Sequence, residues 1–123
     1  MTSHYSQMIS GNIKTSGKRE VNSLYDGQLI ETVDNVDKTA IEQALATASG
    51  LFNDKSKWLT APQRIEILTR LAELMRQNYD RLVLIAAQEG GKPLLDTRVE
   101  MDRAIDGINN CIECIRTSHG EEI

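Results

Sequence analysis

Gln88-Glu89-Gly90-Gly91-Lys92-Pro93-Leu94-Leu95-Asp96-Thr97-Arg98-Val99-Glu100-Met101-Asp102-Arg103-Ala104-Ile105 is the stretch on which the fold turns. Gly90 and Gly91 follow an apolar run of helical character and can take the left-handed backbone that ends a helix. Pro93 has the fixed φ suited to the first turn of the next one. The pattern predicts an elbow between two helices. Beyond it, Leu94, Met101, Ala104, Ile105, Ile108, Cys111, Ile112 and Ile115 fall on one stripe at helical spacing, with Leu95 and Val99 as a smaller apolar edge. Asp96, Arg98, Glu100, Asp102 and Arg103 lie off that stripe. A long amphipathic helix is expected, running to about Thr117, where Ser118-His119-Gly120 ends it.

Working back from the elbow, Leu82-Val83-Leu84-Ile85-Ala86-Ala87 is apolar nearly all round, which predicts a central helix from about Tyr79 to Glu89 capped by Asn78 or Asp80. Before it, Thr60, Pro62 and Gln63 stand as cap, first-turn proline and capping-box partner, opening a helix whose apolar face is Ile65, Ile67, Leu68, Leu71, Ala72, Leu74 and Met75. Arg64 falls between Leu68 and Leu71 on the wheel, and a buried guanidinium needs a carboxylate, for which Glu89 or Glu100 is the expected partner. The first helix is signalled by Asp34 as cap with Asp37 three residues on. Val36, Ala40, Ile41, Ala44, Leu45, Ala48, Leu51 and Phe52 form its buried half, Gly50 weakens its last turns, and Asn53 to Lys57 is a charged loop ending at Trp58.

Upstream, short apolar pieces at Met8-Ile9, Ile13, Val21, Leu29-Ile30 and Val33 are broken by Gly11, Ser16-Gly17-Lys18 and Asp26-Gly27. These read as turns between the short strands of an antiparallel ribbon of two or three strands. The expected class is mainly α with a small N-terminal β-ribbon. Residues 1–33 make the tail and ribbon, and 34–123 the helical segment of about four helices.

One hundred and twenty-three residues, 40% hydrophobic and 26% charged, are one domain's worth of an ordinary globular chain. With one Trp, one Phe and three Tyr, the core must come from Leu, Ile, Val, Ala and Met. A net charge of −4 with interspersed signs offers no basic stripe for a phosphate backbone, so nucleic acid is not an expected partner. No apolar run is long enough for a membrane span, and the start lacks the features of a secretory signal, which makes a cytoplasmic location with reduced thiols the expectation.

Candidate chemistry is thin. Cys111-x-x-Cys114 lacks two further zinc ligands, since only His4 and His119 are available. Deep in a helix and on or beside the apolar stripe, the pair reads as small buried hydrophobes, not as a redox motif. Gly90-Gly91-Lys92 fails as a phosphate loop, because a glycine is needed at Ala86 and a Ser or Thr at Pro93. Without Gly-x-Gly-x-x-Gly there is no dinucleotide fingerprint. Lys92 reads as a solvated or carbonyl-capping residue, His4 and His119 as incidental. Asp96, Glu100 and Asp102 scatter round a helix with Arg98 and Arg103 in pairing range.

Glu89-x-Gly91-Lys92-Pro93-Leu94, then Asp96-x-Arg98-x-Glu100 and Arg103-Ala104-Ile105, resembles a segment near residue 90 of NAD(P)-dependent aldehyde dehydrogenases. Supporting matches are Tyr25-Asp26-Gly27-Gln28-Leu29-Ile30, Val36-Asp37 with Ala40-Ile41 and Ala44, Trp58, and Arg64-x-x-Ile67-Leu68 with Ala72-x-Leu74. The likeness extends from about Met8 to the last residue but covers only the front of such proteins. Ser23-Leu24 stands where the family usually has Asn-Pro or Ser-Pro. The Tyr-Asp-Gly and Glu-Gly-Gly-Lys-Pro-Leu variants are most similar to the lactaldehyde, glyceraldehyde or phosphonoacetaldehyde types.

The resemblance implies an N-terminal ribbon and helices that pack on a dinucleotide-binding domain, in enzymes that oxidise aldehydes through a thiohemiacetal on a catalytic cysteine, with hydride passing to NAD or NADP. The thiolate, the oxyanion-stabilising Asn, the general-base Glu and the nucleotide site would all lie beyond Ile123, so no catalytic, cofactor or metal residue is assigned here. Some members hold an alkali ion near the positions of Val21-Asn22 and Glu89, and none is expected on these residues. The chain reads as a truncated, catalytically inert fragment whose partner is the remainder of the dehydrogenase, or another copy met through exposed apolar faces. The alternative is a small helical interaction module that keeps the scaffold without the chemistry.

Overall fold

The computed structural model describes residues 3–11, 13–118 and 120, except for the side chains of residues 3 and 4. The chain divides into two units, Met1–Trp58 with Gln88–Gly91, and Leu59–Ala87 with Lys92–Ile123. The architecture is mainly helical with a small N-terminal sheet, as the patterning predicts.

In the first unit, strands β1 (Ser3–Tyr5), β2 (Thr15–Asn22) and β3 (Leu29–Val36) form a sheet of order β1-β3-β2, followed by helix α1 (Lys38–Asn53). β2 and β3 are an antiparallel hairpin, and Asp26-Gly27 sits in its connection as expected, with Gly27 at φ +71. Ser23 closes the turn twice, its amide donating to the Gln28 carbonyl at 2.8 Å and its carbonyl accepting from Gly27 at 2.9 Å. Asp26 Oδ1 accepts from the Gln28 amide at 3.1 Å. The Ser23 hydroxyl and that amide hold the Asp26 carboxyl below its ordinary pKa.

Two expectations about the ribbon need correction. Ser16-Gly17-Lys18 is not a turn but lies inside β2, where the register slips between Thr15, paired with Val36, and Gly17, paired with Asn35. A β-bulge of this kind needs one residue with unusual backbone, and Gly17 supplies it at φ +138. Met8-Ile9 is outside any strand. The third strand is the polar Ser3–Tyr5, which runs parallel to β3 with Tyr5 opposite Val33.

Asp37, and not Asp34, caps α1: its Oδ1 accepts from the Ala40 amide at 2.9 Å. β3 continues through Val36 to pair with Thr15, so 37 is the first extended residue free to turn into the helix. Asp34 stays in the ladder opposite Lys18 and is buried, with the Gln7 side-chain amide donating to its carbonyl. Of the apolar face expected on α1, Ala40 is buried and Ala44 half-buried, whereas Ile41, Leu45, Leu51 and Phe52 are exposed. Trp58 finishes the helix end by donating from Nε1 to the Leu51 and Phe52 carbonyls at 3.1 and 3.2 Å, its ring 5.8 Å from that of Phe52.

In the second unit, α2 (Ala61–Gln77) begins with the capping box read from the sequence. Thr60 Oγ1 accepts from the Gln63 amide at 3.4 Å, and Gln63 Oε1 accepts from the Thr60 amide at 2.9 Å. α3 (Tyr79–Gly90), whose last residues are grouped with the first unit, follows after Asn78, and α4 (Leu94–Thr117) after the elbow. Asn78 does not cap α3 with its side chain. The side-chain amide donates to the Leu74 carbonyl at 2.9 Å, closing α2, while the Asn78 carbonyl takes the Leu82 amide at 2.9 Å.

The elbow is a Schellman-type ending: Gly91 is left-handed at φ +60, and the Lys92 amide donates to the Ala87 carbonyl at 3.1 Å. Pro93 stands immediately before α4, and Thr97 ties the first turn to it by donating its hydroxyl to the Pro93 carbonyl at 3.0 Å.

The helical core is a seam between α2 and α4. Ala72 is 1% exposed and lets the helices approach, with Ile65, Leu68 and Met75 partly covered on the same side. On α4 the covered line is Thr97, Met101, Ile105, Ile108, Ile112 and Ile115. Burying an isoleucine on such a seam stabilises by about 1.5–3 kcal/mol. Leu94, Ala104 and Cys111, expected on the buried stripe, are exposed, because one partner helix covers a narrow arc and not the whole apolar face. The same geometry leaves α3 covered at Val83 and Ala87 but open at Leu84, so it is less enclosed than its all-round apolar sequence predicts.

Candidate functional site

Around the elbow, Lys92, Glu100, Arg98, Asp80 and Tyr79 are each engaged by a neighbour. Lys92 Nζ reaches both Glu100 oxygens, at 2.8 and 3.0 Å. Lys92 therefore acts as an ion-pair partner, not as a carbonyl cap. Arg98 Nη1 crosses from α4 to Asp80 on α3 at 3.0 Å, with its guanidinium carbon 5.9 Å from the Tyr79 ring centre. Tyr79 donates its hydroxyl to the Arg98 carbonyl at 3.1 Å. Desolvation first, then the Asp102 carboxylate, hold the Tyr79 phenol above its ordinary pKa of 10.0, against the opposing pull of the Arg98 guanidinium.

Both ion pairs are exposed, a class worth about 0–1 kcal/mol, and of the two only Arg98–Asp80 joins α4 to α3. Asp96, Glu100 and Asp102 do not converge: Glu100 is tied to Lys92, Asp102 lies beside Tyr79, and Asp96 is exposed. Asp80 and Tyr79 were not singled out from the sequence for these roles, since nothing local marks residues that meet α4 across a bend.

Arg64 is exposed, and Glu100, one of its two expected partners, is held by Lys92. Its wheel position marked it as buried, but the second apolar line of α2 to which it belongs is itself uncovered. Leu59, Ile67, Leu71 and Leu74 on that side are exposed and, with Gln63, Glu66 and Arg70 at the rim, line an open hollow of about 600 Å³. Its floor is apolar and its polar groups stand at the rim.

Cys111 and Cys114 are free and exposed, which corrects the expectation that they are buried hydrophobes. Both lie beside the narrow seam that α2 covers. His119 and the side chain of His4 lie outside the described residues. Among the described residues no three His, Cys, Asp or Glu side chains come together as a metal site, and no helix is long and apolar enough to cross a membrane. Gly90-Gly91-Lys92 does not fit a dinucleotide phosphate: the left-handed glycine ends α3 against Leu24, and the lysine is already held by a carboxylate.

Residues 13–123 match the aldehyde dehydrogenase family. Among relatives, an aldehyde-dehydrogenase-like protein of Sinorhizobium fredii is 30% identical over 101 residues, covering 82% of this chain and 20% of the relative. The NADP(+) D-glyceraldehyde dehydrogenase of Thermoplasma acidophilum is 30% identical over 100 residues, covering 79% and 20%. Sulfoacetaldehyde dehydrogenase of Neptuniibacter caesariensis is 36% identical over 61 residues, covering 50% and 13%. The chain spans a fifth or less of the length of these relatives. With a family match along all but its first twelve residues and a ribbon-plus-helices architecture to go with it, the chain belongs to the aldehyde dehydrogenase family and carries its N-terminal segment.

Proposed function

We propose that this chain is a supporting part of an NAD(P)-dependent aldehyde dehydrogenase, oxidising an aldehyde to the acid only together with the rest of such a protein, and inert alone. One observation carries the reading: a family match over residues 13–123, with the chain covering a fifth or less of the length of the relatives named above. The chain's share of the work is positional. The Gly91 turn bends the chain from α3 into α4, and the Arg98–Asp80 pair joins the two helices. The exposed apolar lines of α1 and α2 are surfaces for the remainder of the dehydrogenase to cover. A cytoplasmic location goes with this reading.

NAD or NADP supplies the hydride acceptor in the parent enzyme, and no residue of this chain is assigned to it. The test follows NADH or NADPH absorbance with the purified 123-residue chain and an aldehyde, alone and co-expressed with the remaining segments of a relative. Activity only in the co-expressed sample is expected. Turnover by the isolated chain overturns the proposal. The same exposed lines favour a second reading, a standalone interaction module, which predicts a stable complex with a protein unrelated to dehydrogenases.

A further inference from the structure

We propose that Cys111 and Cys114 form an accessible dithiol that chelates a trivalent organoarsenical, a ligand that two thiols complete by themselves. Three residues apart on α4, they lie about 60° apart around the helix and roughly 4.5 Å apart along it. Their Cβ atoms are therefore about 5–6 Å apart. A disulfide demands Cβ atoms about 3.5–4.5 Å apart, so direct oxidation would have to distort the helix. A single atom bridging the two sulfurs adds a bond on each side and spans the gap with the helix intact.

The surroundings suit a bulky ligand. Both thiols are exposed and free. Gly107, one turn before Cys111, is so open that a Cβ built there would meet nothing within 4 Å. The neighbouring charges are accounted for, since Arg116 pairs with Glu113 at 2.7 Å. Two thiolates are only half of a tetrahedral zinc site, whereas arsenic with one organic substituent needs just two more bonds. The step balances without redox change. Phenylarsine oxide loses its As–O bonding, each sulfur forms one As–S bond, and the two thiol protons leave with the oxygen as water. Arsenic stays trivalent and the helix keeps its backbone hydrogen bonds.

The test incubates the 123-residue chain with phenylarsine oxide in excess glutathione and reads native mass, free thiols and far-UV helicity. One retained adduct, loss of both titratable thiols, unchanged helicity and release by a small dithiol are expected. Chelation by linked groups should make Cys111→Ser and Cys114→Ser each bind on the order of 10²-fold more weakly, with the same helicity as the parent chain. No adduct in glutathione, single variants that bind as tightly as the parent, or helix loss on binding would each overturn the proposal. The parent chain's preference for a dithiol over glutathione as releasing agent tests the site even if a variant fails to fold.

Discussion

Replacing Gly91 with alanine should destabilise the first unit by more than the same change at Gly27, and the difference measures one contact. Both glycines are left-handed, at φ +60 and +71, so both alanines meet the same backbone penalty of about 1–2 kcal/mol. A reduced unfolded-state entropy offsets part of it, by about 0.4–1 kcal/mol. At Gly27 a Cβ meets nothing within 4 Å, and the account stops there. At Gly91 it lies 3.1 Å from Leu24 Cβ and 3.4 Å from Leu24 Cδ1. The exposed Leu24 side chain can swing its Cδ1 away, but its Cβ moves only with the hairpin turn. Leu24 must therefore give by a few tenths of an ångström, an extra cost of about 1 kcal/mol, at the low end of overpacking.

Urea unfolding followed by Trp58, the one tryptophan and a residue of the first unit, is the assay. With a slope of about 1–3 kcal/mol per molar, an extra 1 kcal/mol moves the midpoint by roughly 0.3–1 M. Gly91→Asn should recover part of the backbone term but none of the contact, and Leu24→Gly in the Gly91→Ala background should recover the contact. Equal midpoints for Gly91→Ala and Gly27→Ala would show that the approach of the helix end to the hairpin carries no weight.

Thr60→Ala removes one half of the capping box and should cost about 1 kcal/mol in denaturant unfolding monitored by helicity, with Thr60→Ser close to the parent. Ile112→Ala empties the α2–α4 seam and should cost about 2–5 kcal/mol, against about 0.5 kcal/mol or less for the exposed Leu95→Ala in the same experiment. Tyr79 keeps its proton longer folded than unfolded, so its contribution to stability is complete below pH 10.0 and is lost as pH rises through the higher folded pKa. An alkaline titration of tyrosine absorbance should show the Tyr79 midpoint falling in Asp102→Asn. An unmoved midpoint would assign the shift to desolvation alone. Asp54 behaves in the opposite sense: the Ser56 hydroxyl and then Lys57 hold its pKa below 3.8, and its contribution is lost as pH falls through that lower value. Ser56→Ala should move the Asp54 carboxyl resonance midpoint upward.

What could be read in advance was set by contacts a few residues long. Thr60 and Gln63 bond across one turn, Asp26-Gly27 turns within its own hairpin, and the Gly91 ending needs only the Ala87 carbonyl. Each is decided before any distant element arrives. The errors share the opposite origin. Asp34 and Asp37 are equally good caps by type, and the choice was made by β3 pairing Val36 with Thr15. Ser16-Gly17-Lys18 has turn composition, yet the ladder uses Gly17 as a bulge. Cys111, Ala104 and Arg64 were placed inside by helical angle, which says where a face points but not how wide an arc a neighbour covers. Thr97 is the converse, a polar residue fully buried because its hydroxyl finds the Pro93 carbonyl.

That distinction bears on function. An apolar line written into a helix but uncovered in the fold is the surface that the proposed supporting role would use, and α1 and α2 each carry one: Ile41, Leu45 and Phe52 on the first, Ile67, Leu71 and Leu74 on the second, with Leu59 just before it. Side chains selected only to fill this chain's own core would leave no reason for two such lines at regular spacing. The proposed supporting role accounts for both, because the remainder of a larger dehydrogenase would cover them. Dynamic light scattering offers a direct check. Replacing Ile67 and Leu71 with glutamine should reduce self-association of the isolated chain while leaving its helicity unchanged, since neither side chain lies in the α2–α4 seam. Helicity lost in that variant would mean that the outer line of α2 already serves the fold, and the surface would no longer argue for a partner.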